Sequence, residues 1–271
     1  MKPKHVAFSG LGTVVTIILI IAYYWFIAPA NSTPKTSGGL TPDAGSIINV
    51  PPTTSSSGGG GAVLPGAPGA LPNMAQKPQP KQLASFQGCP PEGDGSDPAL
   101  NQLKNRVDEG NYIPVAFDAV AQLSWPQAIE RKKRADWSSA DTAAIAKYEG
   151  IPISIEGYLY GAREEGPESP NCHGADLPMH DFHIWLTKSA GDSNSGSIVV
   201  ETTPRVRANH STWTVKALTQ IAKGEQRVRI SGWLMMDPEH PDQVTKTRGT
   251  IWEIHPIMKI EVQQGGTWQT F

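Results

Sequence analysis

Ile153-Ser154-Ile155-Glu156-Gly157-Tyr158-Leu159-Tyr160 alternates small or apolar residues with polar or aromatic ones. A period of two predicts a strand with one buried face. Downstream, Phe182, Ile184 and Leu186 alternate with Asp181, His183 and Trp185 and predict a second strand. Ser197 to Thr202 reads as a short third. Between Thr212 and Lys223 the period changes: Val215, Leu218, Ile221 and Ala222 share a helical face, and Gly224 supplies a stop. Val228, Ile230, Gly232, Leu234 and Met236 then predict a fourth strand, and Thr250 to Val262 a fifth.

Three strands, a helix and two strands is the element order of the OB-fold, a five-stranded Greek-key barrel. The expected fold is therefore mainly β, with an OB-like barrel over residues 151–271. An open β-sandwich built from the same strands is the alternative. Residues 86–150 read as a helical extension. Asp97-Pro98 caps a helix carrying Leu100, Leu103 and Val107, a second helical stretch runs from about Pro126 to Arg134, and a third starts at Ser138 or Ser139 and closes at Gly150. Tyr112 to Leu123 is ambiguous.

Upstream of residue 86 the composition is different. Of the 271 residues, 27 are Gly and 24 Pro, and the low-complexity share concentrates there. Residues 29–85 carry ten prolines from Pro29 to Pro80 and the run Gly58-Gly59-Gly60-Gly61. So little apolar surface predicts a disordered linker. Val6 to Ala28 has no charge and is long enough to cross a bilayer as a helix. A cleaved signal peptide is the alternative, but its apolar core is usually shorter. Lys2 and Lys4 precede the run, so residues 1–5 are expected in the cytoplasm, 6–28 in the membrane, and the rest outside the cytoplasm.

Five of the 23 Lys and Arg, and one of the 25 Asp and Glu, precede residue 86, leaving 18 against 24 beyond it. A net acidic domain argues against nucleic acid as a partner. Its basic cluster, Arg131-Lys132-Lys133-Arg134, reads as a solvated helix face. Cys89 and Cys172 are the only cysteines. In an oxidising compartment they are expected to form a disulfide, which pins the N-terminal segment to the long loop between strands one and two.

That loop, about 161–179, and the one at about 237–249 bracket the face on which OB barrels bind ligands. Glu168, His173, Asp181, His183, His240, Arg248 and His255 are the candidate binding residues there or on the adjoining strands. No tight ligand spacing is visible, so the sequence assigns no metal and no cofactor. Tyr158, Trp185 and Trp233 are expected to face away from the barrel interior. They form either an aromatic platform for a ligand or the surface on which the N-terminal helices dock.

Glu168-Ser169-Pro170-Asn171-Cys172-His173, Asp181-Phe182-His183-Ile184-Trp185-Leu186, Asp237-Pro238-Glu239-His240-Pro241 and Trp252-Glu253-Ile254-His255-Pro256 resemble segments of bacterial exported, membrane-anchored, OB-fold-like proteins of uncharacterised function. The likeness covers about the final two-thirds and implies no activity. The leading expectation is a tethered extracytoplasmic module that binds an envelope protein or polymer. The alternative is a metal-assisted hydrolase with a His-rich site in the two long loops.

Overall fold

The computed structural model describes residues 71, 72, 74, 77–81 and 83–271. The expected cytoplasmic tail, the apolar run at 6–28 and most of the linker lie outside these residues. Among the described residues no helix is long and apolar enough to cross a membrane.

The elements are α1 (Pro98–Lys104), β1 (Ile113–Val115), α2 (Phe117–Ala121), α3 (Ser139–Ile145), β2 (Pro152–Glu164), β3 (Phe182–Thr187), β4 (Ile198–Thr202), α4 (Pro204–Arg207), α5 (Val215–Lys223), β5 (Arg227–Met236), β6 (Trp252–Gln264) and β7 (Thr267–Thr270). Strands β2, β3, β4, β6 and β5 pair in that order, and β5 pairs back onto β2. A closed five-stranded barrel results, consistent with an OB-like fold, and the open sandwich is excluded. Closure depends on the length of β2. Its first half pairs β5, from Pro152↔Trp233 to Tyr158↔Arg227, and its second half pairs β3. A register shift between Leu159 and Gly161 bends the strand between these partners. Within the barrel all pairs are antiparallel except β4 with β6, where Val199 meets Glu253 and Val200 meets Ile254.

The alternation read from the sequence fills the barrel. Ile153, Ile155, Ile184, Leu186, Val200, Ile230, Ile254 and Ile260 are buried together, and Leu218 and Ile221 of α5 join the same core. Thr214 caps α5 by accepting from the Ala217 N–H. Gly232 lies where β5 crosses a bulge against β6, and an added Cβ would sit 2.3 Å from the Pro256 carbonyl oxygen.

The N-terminal extension departs from expectation in three places. The stretch from Pro126 to Arg134 forms no helix, only short 3-10 turns at Gln127–Ile129 and Arg134–Asp136 with Arg131 at φ 58° between them. Its basic cluster is therefore not a helix face. Arg131 pairs with Asp242, and Arg134 grips Glu149 with both terminal nitrogens. The ambiguous segment resolves into β1, which adds in parallel to β2, and α2. The helix capped by Asp97 ends at Lys104 instead of reaching Val107.

Residues near the end of the expected linker touch the domain: Leu71 and Met74 pack on its core, and Pro78 accepts a hydrogen bond from Arg106. Cys89 and Cys172 form the expected disulfide, their Cα atoms 5.7 Å apart.

Candidate functional site

The outer face of β3, β4 and β6 carries charged side chains that are buried instead of solvated. His183 lies opposite Glu201 across β3–β4, and β4 runs in parallel beside Glu253 on β6. Since the strand period is two, Asp181 and His183, Glu201, and Glu253 and His255 all project from this one face. All five are buried. Beneath them, on the opposite face, Ile184, Val200 and Ile254 belong to the core.

Two imidazoles share one carboxylate. Glu201 places Oε1 2.8 Å from His183 Nδ1 and Oε2 3.2 Å from His255 Nδ1. His183 Nδ1 also lies 3.0 Å from Glu165 Oε1, so two carboxylates compete for a single ring nitrogen. His255 is bracketed further, by Glu253 at 3.7 Å from Nδ1 and Asp181 at 3.5 Å from Nε2. Asp181 Oδ1 accepts from the Asn171 side chain at 2.8 Å, which fixes that carboxylate from the loop closed by the disulfide. His183 Nε2, both His255 ring nitrogens and Asp181 Oδ2 are buried without a hydrogen-bond partner. Buried polar atoms left in that condition each need an explanation.

Next to this cluster, Asp237 accepts from His240 Nδ1 at 2.7 Å and from Arg248 Nη1 at 3.0 Å. The other terminal nitrogen of Arg248 bonds Glu253. Five carboxylates (Glu165, Asp181, Glu201, Asp237, Glu253) thus gather with two guanidiniums, Arg163 and Arg248, and the Lys104 ammonium. The titration of the group reflects that excess. Burial alone would lower the His183 pKa, but Glu165 and Glu201 outweigh it and push the imidazole up to about 9. Burial likewise opposes the charge on His255, and Asp181, Glu201 and Glu253 overcome it, raising its pKa well above the usual range. For Glu201 burial favours the acid form, yet the two imidazoles hold it well below the ordinary carboxylate range.

Compared with family models, curated proteins and solved structures, the chain matches none. The site is therefore read from its own chemistry.

Two spaces meet at the cluster. A small cavity of about 40 Å³ is lined by Glu165, His183, Glu201, Glu253 and Arg248 among others. A cleft of about 670 Å³ opens to solvent between α1, the turn at Glu168–His173 and the loop at Pro238–His240. Lys104, Glu168 and His240 line both spaces. Glu168 Oε2 is 3.9 Å from Lys104 Nζ. Burial dominates the Glu168 carboxyl and, helped by Asp181 and Glu201 against Lys104, pushes it up to about 7.

Of the residues singled out by sequence, Asp181, His183 and His255 belong to the cluster, Arg248 and His240 flank it through Asp237, and Glu168 stands at its wall. Asp181 and His183 share a face as expected, but each pairs elsewhere. His173 stays outside: it is exposed, and its Nε2 lies 3.4 Å from Asp94. The aromatic platform does not assemble. Trp233 is covered by the N-terminal segment, with its Nε1 donating to the Asp108 carbonyl at 3.1 Å, which is the docking alternative. Tyr158 and Trp185 are half-buried, and Trp185 packs instead against His183 and Tyr160, at 4.7 and 6.2 Å between ring centroids.

Sequence reasoning missed Glu165, Glu201, Asp237, Glu253 and Lys104. Two of them had a signal. Glu201 interrupts the apolar run Ile198-Val199-Val200, and Glu253 is two residues from His255 on a predicted strand, hence on its face.

Proposed function

We propose that this chain is a membrane-tethered, extracytoplasmic OB-like protein that works as a metal-assisted hydrolase. Its cation would be held by Glu165, His183 and Glu201. The observation that carries the reading is the convergence of these three side chains on a cavity with room to spare: both carboxylates lie 2.8–3.0 Å from His183 Nδ1, and one donor atom of each residue lies within 4.8 Å of the others. Donors on a tetrahedron around zinc stand about 3.3 Å apart. Three protein ligands with an open position are the pattern of catalytic rather than structural zinc sites. At about 40 Å³ the cavity accepts a cation and a water or two but no organic substrate. The substrate would occupy the cleft.

Two protonated imidazoles would also answer the carboxylate excess. That arrangement leaves the His255 nitrogens facing carboxylates at 3.2 and 3.5 Å without hydrogen-bond geometry, which is costly. A divalent cation held by Glu165, His183 and Glu201 would supply Lewis-acid chemistry there. Glu168, near pKa 7 and lining both spaces, is suited to exchange a proton with a reacting group in the cleft. The disulfide supports an oxidising, extracytoplasmic location. A module that only binds has weaker support, because Tyr158, Trp185 and Trp233 make no common surface.

The test is elemental analysis of the purified full-length chain after incubation with zinc or manganese and removal of excess ion. It is paired with hydrolysis of 4-nitrophenyl phosphate, phosphodiester and acetate. Retained metal, and turnover that is lost with chelator and restored by the ion, supports the reading. A chain that retains no metal overturns it, as does one whose turnover is indifferent to chelator.

A further inference from the structure

The three ligands proposed above leave the deepest part of the cluster unused. His255 is 1% exposed, Asp181 0% and Glu201 6%. Neither ring nitrogen of His255 has a hydrogen-bond partner, and neither does Asp181 Oδ2, although the two residues face each other at 3.5 Å. A buried His–Asp couple serving only the fold would be expected to close into a hydrogen bond of about 2.8 Å. Here they stand apart at Nε2, while Glu201 stands at Nδ1, so one ion would take one of the two ring nitrogens. Asp181, Glu201 and His255 can each offer one donor atom within 4.8 Å of the others.

The link to the first position is Glu201. Its two oxygens do not share a partner: Oε1 faces His183 and Oε2 faces His255. A carboxylate whose oxygens serve different imidazoles has the form of a bridge between two ions.

We propose that the domain binds a second divalent cation at Asp181, Glu201 and His255, with Glu201 bridging it to the cation at Glu165 and His183. The inference rests on the first site, and it makes the cluster a carboxylate-bridged pair. Paired metals about 3.5–4 Å apart clamp both the attacking and the leaving oxygen of a displacement, the arrangement found in phosphatases and nucleases. It therefore assigns a phosphate ester as the substrate class for the cleft. The position of the two sites assigns their roles. The Glu165 side adjoins the cavity and exchanges with solvent, whereas the Asp181 side is sealed and holds its ion more slowly and tightly.

Metal stoichiometry of the full-length chain and three variants tests this. Two ions per chain are expected in the wild type, falling to one in Asp181→Asn and to one in Glu165→Gln, and to none in Glu201→Gln. One ion in the wild type that survives Asp181→Asn but not Glu165→Gln overturns the second cation and leaves the first reading standing. No ion in any form overturns both. Because buried substitutions can impair folding, the manganese-loaded wild type supplies an independent measurement. Paramagnetic resonance of a bridged pair shows exchange coupling between the ions, whereas an uncoupled six-line spectrum from isolated manganese overturns the bridge. Among the three esters, preferential turnover of phosphate over acetate is expected, and acetate alone would overturn the substrate class.

Discussion

The guanidinium carbon of Arg106 lies 3.3 Å from the centroid of the Trp233 ring, and both side chains are buried. Arg106 also makes two hydrogen bonds to Asp108, at 2.6 and 3.0 Å, while the Trp233 Nε1 bonds the Asp108 carbonyl. The N-terminal segment is thus attached to β5 by a stacked cation whose charge is matched next door. This contact positions α1, and with it Lys104, over the carboxylate cluster.

Replacing Arg106 with Ala strands the Asp108 carboxylate in a buried setting and removes the stack. The expected loss is about 3 kcal/mol of unfolding free energy, as for other broken buried pairs, read from urea titration of the full-length chain. A loss under about 0.5 kcal/mol would mean that the segment docks without this contact.

The Cys89–Cys172 bridge spans 83 positions of sequence. Removing it by a double Ser substitution is expected to cost roughly 2–5 kcal/mol. It should also loosen the turn that carries Glu168 and Asn171. Thermal unfolding with and without reductant checks this, since reductant should lower the wild-type midpoint and leave that of the double variant unchanged.

Glu168 has a folded pKa near 7 against an ordinary value of 4.5. A group whose folded pKa is raised contributes stability below its unfolded pKa and loses it as pH rises through the folded one. The wild type should therefore lose stability between about pH 4.5 and 7, and Glu168→Gln should flatten that slope. Urea midpoints at intervals of pH for the two chains decide it; parallel curves would show that Glu168 is not the group responsible.

At Gly232 an added methyl meets the Pro256 oxygen at 2.3 Å and Ile254 Cγ2 at 2.6 Å. Both contacts are with β6, so the strand must move. Gly232→Ala is expected to cost about 2 kcal/mol or more and to lower metal retention, because Glu253 and His255 ride on the same strand. A chain with unchanged stability and metal content would show that the seam yields freely.

The barrel was legible because its strands are amphipathic: Ile153, Ile155, Ile184 and Leu186 announce both period and buried face. The region from Pro126 to Arg134 was not, since a short run of charged residues beside a proline scores as helix without a packing partner to hold it there. The cluster was legible only residue by residue. Asp181, His183 and His255 stood out as types, but their meeting depends on the pairings of His183 with Glu201 and Val199 with Glu253, which no local spacing encodes. Trp233 could be placed on the outer face, while the residue that covers it, Arg106, had no signal of its own.

The parallel seam between β4 and β6 has a kinetic meaning. It is a pairing between segments far apart in the chain, and such contacts form slowly because the intervening loop must first be closed. Glu201 stands on one side of that seam and Glu253 and His255 on the other. A nascent polypeptide lacking its last long strand therefore has only half of the acidic constellation, and the chemistry-bearing pocket is the late product of folding, assembled when the cylinder seals.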